Sequence, residues 1–127
     1  MKSAITAGVA PQAIGPYSQA VQAGEWVFVS GQLPLDREAK SLAIGVERQT
    51  EACLSNLAVI LAEAGLKMQD VVKTTVFMTD LGQFAAMNEV YSRHFTAPYP
   101  SRATVQVAAL PKGAAVEIEA VAFAGKK

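Results

Sequence analysis

The segment Val116-Glu117-Ile118-Glu119-Ala120-Val121-Ala122-Phe123 constrains the fold of this chain more than any other part of it. Its composition and length read as a β-strand, with Val116, Ile118, Ala120 and Ala122 on one face and Glu117, Glu119, Val121 and Phe123 on the other. Large apolar residues therefore stand on both faces, as they do in the stretches 26–30 and 71–79. A sheet built from such strands needs cover on both sides. The second face also carries two carboxylates, and an ionised carboxylate on a buried face is costly without a partner. The nearest distinctive cation is Arg102, at the start of the preceding strand. An arginine that forks onto a carboxylate, and a glutamate on an otherwise apolar strand, are what a site for a small acid needs.

The other elements follow from pattern. Residues 17–23 read as a short strand, Gly24-Glu25 as a turn and Trp26–Ser30 as a buried strand, together a hairpin. Gly31–Leu42 reads as a loop containing Pro34 and several charges. Val46–Ala64 is the clearest helix: Cys53, Leu57, Ile60, Leu61 and Ala64 form an apolar stripe, and Gly65-Leu66 ends it in the Schellman manner. Val71–Thr79 is rich in β-formers. Asp80 reads as the N-cap of a second helix with Gln83 three residues on, a capping-box pattern, and Phe84, Met87, Tyr91 and Phe95 share one side of that helix. Ala97-Pro98-Tyr99-Pro100 breaks it, and strands at 103–108 and 115–124 follow. The order is β-β-β-α-β-α-β-β, an α/β fold with a mixed six-stranded sheet and two helices on one face. Two helices cover one face only, so the pattern predicts a homo-oligomer that covers the other.

The 127 residues, 51% of them hydrophobic, suit one domain spanning 1–127 and argue against disorder. Eleven basic and eleven acidic residues cancel, which leaves no global electrostatic case for nucleic acid or an anionic membrane. The single Cys53 excludes an internal disulfide and a cysteine-based metal cage. No apolar run reaches spanning length and Met1–Ile5 does not read as a signal peptide, so a cytoplasmic location is expected.

Each candidate for chemistry also has a plainer reading. Arg102 and Glu117 are the leading pair, or else a structural salt bridge or a solvated edge pair, and period alone does not separate Glu117 from Glu119. Tyr17, after Ile14-Gly15-Pro16, is held at a pocket mouth or is an ordinary half-buried tyrosine. Ser30-Gly31-Gln32 lets a backbone N–H approach a ligand closely, or is a strand-ending turn. Asn88 faces a pocket or, more plainly, solvent. His94, the only histidine, makes neither a metal set nor a triad and reads as a helix-end residue. Cys53 reads as a buried structural thiol. Neither the Gly-x-Gly-x-x-Gly nor the Walker phosphate pattern is present.

Ile14-Gly15-Pro16-Tyr17-Ser18, Ser30-Gly31-Gln32, Ala64-Gly65-Leu66, Val72-Lys73-Thr74-Thr75-Val76-Phe77, Asn88 and Pro100-Ser101-Arg102 recur here in one order. With Ala109-Leu110-Pro111-Lys112-Gly113 and the Val116–Ala122 block, the chain resembles the RidA (YjgF) family of enamine/imine deaminases over almost its whole length. The resemblance implies a chorismate-mutase-like fold with the last strand central in the sheet. It also implies a homotrimer with sheets around a central barrel and pockets between neighbouring subunits. The implied activity is that of a 2-iminobutanoate/2-iminopropanoate deaminase. Such an enzyme hydrolyses reactive species such as 2-aminoacrylate to 2-keto acids and ammonia, which protects pyridoxal-phosphate enzymes. No metal and no organic cofactor is implied.

Carried over residue by residue, Arg102 matches the arginine that grips the substrate carboxylate, Glu117 the glutamate that orients a water, and Tyr17 the pocket tyrosine. Gly31, with Ser30 beside it, and the backbone at Thr104 match ligand-contacting positions, and Asn88 stands where the family often has asparagine. Many bacterial members have cysteine where Thr104 stands, so thiol chemistry at that position is in doubt. The alternative is a non-catalytic trimer that binds small 2-keto acids as a metabolic regulator. A nuclease reading finds no histidine pair and no net positive charge.

Overall fold

The computed structural model describes residues 1–36 and 41–125. In chain order the elements are β1 (Lys2–Ile5), β2 (Ala20–Ala23), β3 (Trp26–Gln32), α1 (Val46–Glu63), β4 (Val71–Met78), α2 (Phe84–Tyr91), β5 (Ser101–Gln106) and β6 (Val116–Phe123). The strands form one six-stranded sheet in the order β1-β2-β3-β6-β4-β5. Among the described residues, only β4 and β5 pair in parallel; every other pair is antiparallel. The α/β order and the mixed sheet are those expected, and β6 is central.

Alternation along β6 follows the expected faces. Val116, Ile118, Ala120 and Ala122 are buried, with Val27, Val29, Val76 and Met78 from the flanking strands. Helix α1 lays Cys53, Leu54, Leu57, Ile60 and Leu61 on this face, all fully buried. Truncating one of those leucines to alanine would cost about 2–5 kcal/mol. The Cys53 thiol donates to the Val116 carbonyl at 3.6 Å, and burial first, then the Glu117 charge, pushes its pKa well up. It is structural. The helix ends as expected: Leu66 N–H donates to the Leu61 carbonyl and Gly65 N–H to that of Ala62, both at 2.9 Å, with Gly65 at φ 76°.

Several boundaries differ from the sequence reading. The strand at 17–23 is shortened to Ala20–Ala23, and Tyr17 lies in the irregular segment before it. The strand at 26–30 runs on through Gly31 and Gln32, so the expected loop starts later; its residues 37–40 lie outside the described residues. Asp80 caps a short 3₁₀ turn, Leu81–Gln83, through a 2.8 Å bond from Gly82 N–H, and α2 starts only after it. Met87 and Tyr91 of α2 are buried, Phe95 is buried beyond its end, and Phe84 is exposed. β5 starts two residues early and includes Arg102.

The opposite face of the sheet is uncovered in the single chain. Trp26 is 44% exposed, Phe28 49% and Val105 40%. Among the described residues, no helix is long and apolar enough to cross a membrane.

Candidate functional site

The site begins with an irregularity in β3. Val29 pairs with Ala120 and Gln32 with Ile118, so Ser30 and Gly31 together stand opposite the single Glu119. This is a β-bulge. It switches the parity of the strand: Val27 and Val29 face the helices, and after the bulge so does Gln32 rather than Gly31. Gly31 is thereby turned to the Glu117 side chain. A Cβ built on Gly31 would lie 2.5 Å from Glu117 Oε2, 2.9 Å from Cδ and 3.2 Å from Cγ. Only glycine lets the carboxylate rest there. Ser30 ties the bulge to the preceding segment: its N–H donates to the Gln19 carbonyl at 2.9 Å and its hydroxyl to the Ser18 carbonyl at 2.7 Å.

A cavity of about 410 Å³ opens over this bulge, lined by Tyr17, Ser30, Gly31 and Glu117 among others. Tyr17 stands at its mouth, 53% exposed. Glu117 is half-buried and Glu119 exposed, and only Glu117 lines the cavity; the two carboxylates that period left equivalent are separated here. Burial, and after it the Glu119 charge, raises the Glu117 pKa. Lys112 also lines the cavity and holds a left-handed backbone, φ 60°.

Arg102 lies elsewhere. β4 separates β5 from β6, with Thr74 opposite Arg102 and Phe77 opposite Glu117. Thr74 and Phe77 are three residues apart, so Arg102 and Glu117 point from opposite faces of the sheet. Consecutive strands are not neighbours here, and within one chain the two residues do not form a structural salt bridge. Arg102 instead sits with α2. Its Nη1 donates to Asn88 Oδ1 at 2.8 Å, and its guanidinium carbon is 4.6 Å from the Tyr91 ring centroid and 5.5 Å from that of Phe84. Asn88 is therefore not a solvated helix residue. Tyr91 shares a 2.7 Å hydrogen bond with Thr74, and burial raises its pKa against the opposing pull of Thr74 and Arg102. A guanidinium has five donors, so the bond to Asn88 leaves most of its fork for a carboxylate. Thr104 lies two residues along the same edge strand, on the Arg102 face, half-buried opposite Val76.

The structure thus separates the seven candidate residues: Tyr17, Ser30, Gly31 and Glu117 line the cavity, Asn88 and Arg102 meet at α2, and Thr104 shares the Arg102 face of β5. His94 joins none of these; its Nε2 is 3.0 Å from Glu51 Oε1.

Sequence reasoning missed the residues that hold these parts in place. Gln19 Oε1 accepts from the Ala7 N–H at 2.6 Å while its Nε2 donates to the Pro11 carbonyl at 2.8 Å. Asn56 Nδ2 donates to the Leu35 carbonyl at 3.0 Å and that of Leu33 at 3.3 Å. Gln49 Oε1 accepts from the Ala115 N–H at 2.8 Å, just before β6. All three amides are buried. The one available signal was an amide, Asn56, directly beside Leu57 of the apolar stripe.

A family model described as Endoribonuclease L-PSP matches residues 7–124. The chain is 53% identical over 124 residues to Protein DfrA of Myxococcus xanthus, covering 95% of each. It is 45% identical over 126 residues to the 2-iminobutanoate/2-iminopropanoate deaminase of Mus musculus, covering 98% of this chain and 93% of that protein. The crystal structure of E. coli TdcF with bound serine superposes with a TM-score of 0.92 at 43% identity, covering 97% of this chain and 99% of that one.

Proposed function

The chain belongs to the RidA family, and on that premise we propose that it hydrolyses the C=N bond of small 2-imino acids and their enamine tautomers to 2-keto acids and ammonia. The observation that carries this reading is the Glu117 carboxylate laid over Gly31 inside the cavity. Burial raises its pKa, which makes the carboxylate a better proton acceptor than an exposed one. The bound serine of the TdcF structure supports a small amino or keto acid as the ligand.

An imine carbon is already electrophilic, so no covalent nucleophile is required. Arg102 holds the substrate carboxylate bidentately and fixes the imine over a water. Glu117 takes a proton from that water as its oxygen bonds to C2, and the π pair of the C=N bond moves to nitrogen. Glu117 then returns the proton to this nitrogen, giving the neutral carbinolamine. In the second step Glu117 takes the proton of the new hydroxyl group and passes it to the nitrogen, so that the C–N bond breaks with its electron pair on the departing ammonia while the hydroxyl oxygen forms the carbonyl. Backbone N–H groups at the bulge and along β5 steady the charge at the reacting end.

Arg102 and Glu117 point from opposite faces of one sheet, so a site that uses both takes them from two copies of the chain. We read the assembly as a homotrimer with its open sheet faces turned inward around Trp26, Phe28 and Val105. The test supplies fresh imine with an L-amino-acid oxidase and follows its decay, with light scattering in parallel. The expected result is ammonia release above the spontaneous rate from a trimer. Keto-acid binding with no acceleration would make the protein a sensor, and a stable monomer at micromolar concentration would defeat the two-copy site.

A further inference from the structure

We propose that the cavity beside Glu117 selects 2-imino acids with longer apolar side chains over the smallest members of the class. The inference rests on reading that cavity as the imine half-site and goes on to name its preferred substrates. A three-carbon imino acid displaces roughly the volume of three waters, ~90 Å³ at ~30 Å³ each. The cavity holds about 410 Å³. Its lining includes the polar residues Ser30 and Glu117, with glutamines and Lys112, but much of the exposed wall is apolar, from Pro11, Ala13, Ile14, Leu33 and Leu35. A substrate with its reacting carbon beside Glu117, and its carboxylate on Arg102 of a second copy, directs its side chain along this wall.

The wall is built into the fold. Its two segments are distant in sequence, and a buried amide pins each: Gln19 bonds the Pro11 carbonyl and Asn56 those of Leu33 and Leu35. Gln19 itself lines the cavity, and both amides bond the lining backbone. A preformed apolar slot rewards each methylene placed in it, about fourfold in kcat/KM, the equivalent of about 0.8 kcal/mol. Ile14 is 74% exposed at the mouth, so its replacement changes the slot without opening the core.

The experiment compares the intact protein on imines generated from alanine, 2-aminobutyrate, norvaline and norleucine. In parallel, calorimetry measures affinity for the matching unbranched 2-keto acids. The expected result is a rise along both series, about fourfold per methylene, with a flatter slope for Ile14→Ser and Leu33→Ala. Circular dichroism confirms that the variants are folded. Imine hydrolysis with flat or falling series would overturn the selectivity and leave the proposed reaction standing. Keto-acid affinity that rises with chain length, with no imine accelerated, would keep the apolar slot and overturn the proposed reaction. Rising series with slopes untouched in both variants would show that this wall is not the selective element.

Discussion

Gly31→Ala separates the placement of the Glu117 carboxylate from its presence. The new methyl would sit 2.5 Å from Oε2, where ordinary contact begins at 3.4 Å, so the carboxylate must withdraw by about 1 Å. A catalytic group misplaced by ~1 Å loses on the order of 100-fold in rate, about 2.7 kcal/mol of barrier. The fold is expected to absorb the change. Gly31 does not have the positive φ that would strain an alanine, and the atoms displaced are the end of a half-buried flexible chain. Unfolding free energy therefore shifts by less than ~1 kcal/mol. The assay is imine turnover and urea unfolding for the parent, Gly31→Ala, Glu117→Ala and the double variant. In the double variant the methyl has no carboxylate to displace, so its further cost is expected to be small. Parental turnover in Gly31→Ala would refute the reasoning, as would an equal loss in the Glu117→Ala background.

Arg102→Ala is expected to lower turnover about 30- to 1,000-fold, the loss of a charged hydrogen-bonded pair worth roughly 2–4 kcal/mol, with Arg102→Lys only partly restored. Pyruvate affinity measured by calorimetry falls more in Arg102→Ala than in Glu117→Ala. Co-refolding these two inactive variants in equal amounts restores about a quarter of the parental sites if each site draws on two copies in a ring; no recovery would place the site within one chain. Turnover rises with pH through the raised Glu117 pKa, because the ionised form accepts the proton. Stability runs the other way: a carboxyl with a raised folded-state pKa contributes stability below the ordinary glutamate range and loses it as pH rises through the raised value. In urea, Glu117→Gln therefore gains on the parent across that window. Thr104→Cys is expected to leave hydrolysis largely intact, because the backbone at this position makes the contact; a large gain in rate would show that the side chain takes part.

The parts of this molecule that a local period encodes were legible in its sequence. Alternation in β6 placed Glu117 opposite the helix-covered face, and the stripe from Cys53 to Leu61 placed α1 on the sheet. The four-residue β1, largely exposed, offers no such period. Strand order is not a local property: β4 enters between β5 and β6, so the proximity of Arg102 and Glu117 in sequence said nothing of their faces. Asn88 lies one position from buried Met87, and only the docking of β5 against α2 decides that it meets an arginine. The bulge escaped notice because Ser30-Gly31 reads equally well as the end of a strand.

The bulge also limits how the chain can vary. It interrupts the pairing of β3 with the central strand, and a ladder with one residue fewer would run unbroken from Val29 to Gln32. Loss of a single codon at Gly31 would repair the ladder and abolish the glycine platform in one step. Selection for robustness alone would favour such a repair, and selection for the site forbids it. This short stretch is thus a place where stability and chemistry draw the sequence in opposite directions. Libraries screened only for heat resistance are the setting in which its shortening would accumulate.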